Sequence, residues 1–448
     1  MKIDSLSLKN FRGISEVLLP LNSKSTVLLG INGVGKTTIL RAINLLYSNI
    51  INRLVRNSSS EKRFTQGVNI ELTDIAIGKS QARIAAQFDF NGEIISYSRS
   101  MERSGAKRAH SNLLSVTNHF NELYLRNFLD ENNSDKDSNH FKQILEWNDM
   151  DDQSNMPIFV NYGVHRLVLD VPVRIRNAHQ FNKLLAFEKA SESKIDFRTF
   201  FEWFRFQEDY ENQIKARGRH KFQDKSLNAV RKAVVAMSDG FSNLRVERHP
   251  LSMKIDKWGK SLRVDQLSDG EKCTIAMFGD LARRLSLANP LLENPLYGEG
   301  VVLIDEIELH MHPSWQRKVL NILSELFPNI QFIITTHSPL VLGEITDKFN
   351  IFMIENEEQE ITIEKLNPTF GWDSNLILEK LMHTDSMNSK VKDLIDYMFA
   401  CITNSELKKA EDLADEIDRI TSGTNPDVTK ARVLITRGKR NEKNTKRD

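Results

Sequence analysis

The clearest chemistry in this chain lies near its start. Gly30-Ile31-Asn32-Gly33-Val34-Gly35-Lys36-Thr37 fits the pattern G-x-x-x-x-G-K-[ST]. Glycines at these spacings let backbone N–H groups turn toward phosphate oxygens, and the helix start that follows adds favourable partial charge. Lys36 brings a cation to the β- and γ-phosphates, and Thr37 offers a hydroxyl to Mg2+. Asn32, Gly33, Val34, Gly35, Lys36, Thr37 and Thr38 are therefore the expected nucleotide-binding residues. The flanks agree: VLLG reads as a buried strand before the loop and TTILRAINLLY as a helix after it.

Three further segments could complete a nucleotide site. Val301–Glu306 is an apolar strand ending in two acids, at the strand edge where α/β sheets bind ligands. Asp305 there would hold Mg2+ through water, and Glu306 would polarise the attacking water as a general base. Leu267-Ser268-Asp269-Gly270-Glu271-Lys272 precedes an amphipathic helix expected over residues 271–287. Ser268, Asp269, Gly270 and Glu271 can form a second anion-binding helix start, although an ordinary cap has the same wording. Thr335-Thr336-His337-Ser338-Pro339 follows the strand IQFII and could bring His337 to the γ-phosphate. Each segment is weak alone. Their order behind a phosphate loop gives them weight.

The elements that must position these residues can be read from the rest of the chain. Its 448 residues hold 61 basic and 60 acidic side chains, for a net charge of +1, and 40% of residues are apolar. Those values describe an ordinary globular chain of two or three domains and exclude wholesale disorder. No apolar run approaches a membrane span, and MKIDSLSLKN lacks the apolar stretch of a signal peptide. Two cysteines, Cys273 and Cys401, give no disulfide framework and fit a reducing cytoplasm. Asn91-Gly92 between ARIAAQFDF and EIISYS predicts a hairpin. LRVERHPLSMKIDKW and IFMIENEEQEITIEKL predict two more. MPIFVNYG reads as a buried strand. Residues 103–156 read as exposed loops between short helices, and 178–240 as helical, with Phe197, Phe200, Phe201 and Phe204 packing one helix on another. His310 and His312 alternate like metal ligands, but no further cluster supports a metal there.

Charge is unevenly spread. Residues 430–448 hold eight Lys/Arg and two Asp/Glu, a net +6 against −5 for the remainder. Residues 215–221 (KARGRHK) are also densely basic. Either segment reads as a solvated surface or as a contact for nucleic acid or a partner protein.

Taken in order, these motifs resemble the ABC-type ATPase superfamily, in the soluble branch of the structural-maintenance, RecF and overcoming-lysogenization-defect families. Lys9-Asn10-Phe11-Arg12-Gly13 looks like the N-F-[RK]-[GS] element of that branch, which places Arg12 near nucleotide. Glu306–Pro313 looks like its D-E-x-E-x-x-L-H-P-type segment. The resemblance is specific over residues 1–42 and 262–340. It implies an α/β fold: an ABC-type ATPase head with a mixed sheet and an antiparallel β subdomain, an inserted mainly helical lobe and a helical C-terminal region. The expected divisions are 1–100 and 241–366 for the two parts of the core, 101–240 for the lobe, and 367–448 for the C-terminal region with its basic tail. No sustained heptad suggests a coiled-coil arm.

The resemblance further implies ATP and Mg2+ as cofactors, with Lys36, Glu306 and His337 catalytic and Thr37 and Asp305 on the metal. Two protomers meet head to tail, so Ser268 to Glu271 act in trans and the protein forms a homo-oligomer. The Mg2+-contacting glutamine of the superfamily has no clear counterpart. Gln87, in a hairpin strand, is a candidate, and Asn161–Arg166 resembles a strand-end element that would put Arg166 near phosphate. No paired-acid or H-N-H nuclease signature is present; Asp412, Asp415, Glu416 and Asp418 look like one solvated helix face. Size and the wording DEIELHMHPSWQ resemble Septu-type anti-phage defence ATPases, also found as retron effector components, which work with a separate HNH-type nuclease. The alternative is a RecF-like DNA-repair ATPase that clamps DNA in its ATP-bound dimer. A transporter motor is disfavoured by the 230 residues between Thr37 and Leu267.

Overall fold

In the computed structural model, residues 1–31, 33–56, 69–103, 110–111, 113–124, 155–166, 183–238, 240–357 and 360–445 are described. Strands β1 (Lys2–Phe11) and β2 (Ile14–Pro20) alternate buried and exposed side chains, as a half-buried sheet requires. β3 (Thr26–Leu29) is buried throughout and leads through the phosphate loop into helix α1 (Lys36–Arg56). β4 (Gln81–Phe90) and β5 (Glu93–Glu102) pair across Asn91-Gly92, both at positive φ, as the sequence predicts. β6 (His110–Ser111), α2 (Leu113–Tyr124) and the fully buried β7 (Ile158–Tyr162) follow.

α3 (Phe197–Ala216) and α4 (Lys225–Val235) begin at side-chain caps from Asp196 and Asp224. The predicted Phe197, Phe200, Phe201 and Phe204 stripe is buried. β8 (Phe241–Arg248), β9 (Leu251–Lys257) and β10 (Lys260–Arg263) form a three-stranded antiparallel sheet before helix α5 (Asp269–Ala288). β11 (Gly300–Ile304), the short α6 (Pro313–Gln316), α7 (Val319–Leu326), β12 (Ile330–Thr336), α8 (Pro339–Leu342), β13 (Asn350–Glu357) and β14 (Glu360–Leu366) complete this part.

The fold is thus mixed α/β. Its main sheet has six strands in the order β14-β13-β3-β12-β11-β7, parallel except for β14. A second, antiparallel sheet runs β2-β1-β4-β5-β6. β3, β12 and β11 are neighbours, so the segments leaving their carboxyl ends come out side by side. That adjacency is invisible in a linear sequence, where the three ends lie at residues 29, 336 and 304.

α5 is held by a buried charge cluster. Asp280, fully buried, accepts from Arg283 and Arg284 of its own helix and from the Tyr162 hydroxyl of β7. Arg284 also donates to the carbonyls of Ala186 and Glu188. Burial alone would raise the Asp280 pKa, but the two guanidiniums outweigh it and hold the carboxyl at about 2. Removing one partner of such a cluster strands buried charge, so Asp280→Ala is expected to lose about 3–5 kcal/mol of stability. Because the folded pKa is depressed, the carboxylate's contribution is full above its ordinary titration range and is lost as pH falls toward 2. Denaturant unfolding of both proteins at pH 7 reads the loss; equal midpoints would disprove it.

The chain divides into two compact units, Met1–Trp372 and Asp373–Asp448. The second consists of α9 (Ser374–Lys380), α10 (Ser389–Thr403), α11 (Leu407–Thr421) and α12 (Pro426–Thr445). Ile395, Met398, Leu407, Ala414, Ile417, Val428 and Ile435 are in its core. The basic tail is therefore helical through Thr445. Arg432 bridges Asp415 and Asp418, and Lys439 pairs with Glu411. The acids on α11 are thus partly an interhelical seam rather than only a solvated face. No described helix is long and apolar enough to cross a membrane.

Candidate functional site

The three neighbouring strand ends build one cavity. It has a volume of about 150 Å3 and is lined by Gly33, Gly35, Lys36, Thr37, Thr38, Asp305, Glu306 and His337. Gly35 sits at φ +110, a conformation that side chains disfavour, so the loop's sharp reversal accounts for this glycine. Val34 is buried beneath the loop, and Asn32 lies outside the described residues.

Lys36 Nζ donates to the carbonyls of Gly30 (2.6 Å) and Ile31 (2.9 Å) and lies 3.4 Å from His337 Nδ1. Burial lowers its pKa, while the carboxylates of Asp305, Glu306 and Glu308 oppose that shift. The Thr37 hydroxyl donates to Asp305 at 3.0 Å. Hydroxyl and carboxylate are hard oxygen donors. Two of them side by side suit Mg2+, which fills its other positions with water and phosphate oxygens. His337 Nε2 lies 3.4 Å from Glu306 Oε1. Glu306 itself adopts φ +48, an uncommon conformation for a side-chain-bearing residue and one found at functional sites. Cation, carboxylate and imidazole thus meet around a space fit for a terminal phosphate and a water.

The structure also shows how these side chains are held. Thr335 Oγ1 donates to Asp305 (2.6 Å) and accepts from the Glu306 N–H (2.8 Å). Arg166 is buried and donates to the Glu306 carbonyl and toward Met277 of α5. It braces the turn after β11, a supporting position rather than a place on the cavity wall. Gln87 does not join the site. It lies on the exposed face of β4, where it accepts from Ser5, because strand alternation points it away from the sheet interior.

Arg12 is not part of the cavity wall either. Its Nε donates to Asp74, a fully buried carboxylate that also accepts from Arg41 of α1 and from the Glu71 N–H. Burial would raise the Asp74 pKa; those hydrogen bonds win and hold it low. Arg41 and Asp74 carried no motif, so the sequence reading missed the pair that ties Arg12 to the helix behind the phosphate loop.

Ser268 to Glu271 also lie outside the cavity of their own chain. Ser268 caps α5 in a capping box with Glu271, and Glu271 pairs with Lys257 at 2.6 Å. A Cβ on Gly270 would lie 2.1 Å from the His310 carbonyl, so only glycine allows the cap to pack on the loop after β11. The described residues contain no cluster of three or more His, Cys, Asp or Glu suited to a metal; His312 instead caps α6.

Residues 25–343 match the family described as "AAA domain, putative AbiEii toxin, Type IV TA system". The chain belongs to this AAA family. It is a nucleotide-binding ATPase with relatives in retron and Septu systems. This AAA-family chain is 31% identical to the "Retron Ec83 probable ATPase" of Escherichia coli, over 80% of this chain and 72% of that one. It is 24% identical to the "Septu protein PtuA" of Bacillus thuringiensis, over 86% and 85% of the two chains. Among solved structures, the SMC head domain from Thermotoga maritima aligns with a TM-score of 0.44 and 15% identity, covering 82% of this chain and all of that one.

Proposed function

We propose that this ATPase is the nucleotide-dependent subunit of a bacterial anti-phage defence complex and regulates a separate HNH-type nuclease. The observation that carries the site is the convergence of the phosphate loop, Asp305, Glu306 and His337 on one cavity. Lys36 and the loop amides would bind the β- and γ-phosphates, with Thr37 and Asp305 holding Mg2+. Glu306 would take the proton of the attacking water, and His337 would meet the γ-phosphate. Ser268 and Gly270 would close the site of a second copy, in keeping with their position outside their own cavity. ATP then bridges head-to-tail protomers and sets the geometry of a homo-oligomer that holds the nuclease. The retron and Septu relatives support the defence role.

The test joins assembly and partner. The protein is co-expressed with the open reading frames beside its gene, purified with and without ATP and Mg2+, and its mass measured by light scattering. A co-purifying nuclease and an ATP-dependent rise in mass are expected. A monomer with ATP present would overturn the bridging. DNA binding by the ATPase alone, with DNA-stimulated hydrolysis and no nuclease, would favour a RecF-like clamp instead.

A further inference from the structure

Four consecutive residues at the end of β12 are each bound to the segment that follows β11. Thr335 Oγ1 contacts Asp305 and the Glu306 N–H. The Thr336 hydroxyl donates to Glu308 Oε2 at 2.8 Å, and the His337 N–H donates to Glu308 Oε1 at 2.6 Å. Ser338 Oγ donates to Gln316 Oε1 at 2.6 Å, while Gln316 Nε2 donates to the Met311 carbonyl. The two strands are neighbours in the parallel sheet, but sheet pairing ends at Ile304 and Ile334. Beyond that point these side-chain bonds join one backbone bond, from the Ile307 N–H to the Thr335 carbonyl at 3.1 Å.

We infer that Glu308 is a positioning residue, a two-oxygen clamp that sets His337 relative to Glu306 in the ATPase site. One carboxylate bonds the His337 backbone and its neighbour's hydroxyl together, which fixes where the imidazole leaves the chain. Glu308 sits two residues after Glu306, so the clamp and the general base ride on the same turn. The 3.4 Å separation of Glu306 Oε1 from His337 Nε2 then depends on the clamp together with the contact of the partly exposed imidazole with Lys36. Charge-assisted hydrogen bonds of this kind are among the stronger ones, and a carboxylate is needed to accept both donors.

The inference rests on the roles read above for Glu306 and His337, so the experiment separates the two. ATP binding and steady-state hydrolysis are measured for the full-length protein with Glu308→Ala, Glu308→Gln, His337→Ala and the double substitution Glu308→Ala/His337→Ala. Glu308→Ala is expected to lower kcat by about ten-fold or more while ATP affinity stays within about three-fold. Glu308→Gln, which keeps one acceptor for the His337 N–H, should recover part of kcat. If Glu308 works through His337, the double substitution is no slower than His337→Ala alone. Unchanged kcat in Glu308→Ala, multiplicative losses in the double substitution, or parallel loss of ATP affinity would each overturn the clamp. Unchanged kcat in His337→Ala would instead overturn the role of His337.

Discussion

Glu306→Gln is expected to bind ATP normally and hydrolyse it roughly 10²–10⁴-fold more slowly, the usual contribution of a positioned general base. The substitution keeps size and hydrogen-bonding shape but removes the group that can take a proton from water. Its backbone position should persist, because the Glu306 N–H is fixed by Thr335 and its carbonyl by Arg166, bonds that do not involve the side chain. Bound ATP would then accumulate along with the nucleotide-bridged assembly. Single-turnover hydrolysis and light scattering read both effects. Hydrolysis within about three-fold of the unaltered protein would place the base elsewhere.

Lys36→Ala is expected to weaken ATP binding by roughly a hundred-fold or more, equivalent to about 3 kcal/mol for a lost charge-assisted contact to phosphate. The ammonium is partly buried and faces three carboxylates, Asp305, Glu306 and Glu308. Without it, a phosphate entering the cavity would meet those negative charges with only the loop amides and metal to offset them. The loss should therefore appear in affinity, not only in turnover, and calorimetric titration with ATP and Mg2+ measures it. An affinity within about three-fold of normal would remove the cavity from consideration as the nucleotide site.

The phosphate-loop turn was legible locally because its pattern is a short contiguous string. Gly33, Gly35, Lys36, Thr37 and Thr38 form one strand-to-helix turn, and their spacing is set by the loop's own geometry. The hairpin at Asn91-Gly92 and the aromatic stripe of α3 were legible for the same reason. Ser268 shows where local wording is ambiguous: one pattern serves a helix cap, which the fold contains, and would equally serve the phosphate contact proposed for a second copy.

The amino-acid sequence by itself determined where the phosphate-loop pattern lies, which strands are buried, and that the fold is mixed α/β with C-terminal helices. The tertiary structure alone decided which supporting residues matter. Gln87 faces outward because a strand's side chains alternate and its neighbours claim the other face. Asp74 and Arg41 belong to no short motif, and Arg166 and Glu308 lie in segments whose wording does not tell what they bond, yet each makes the hydrogen bonds that hold Arg12, Glu306 or His337. Their partners lie 29 to 140 positions away along the chain. Strand order, not residue spacing, closes those distances, and strand order is set by the packing of the whole sheet.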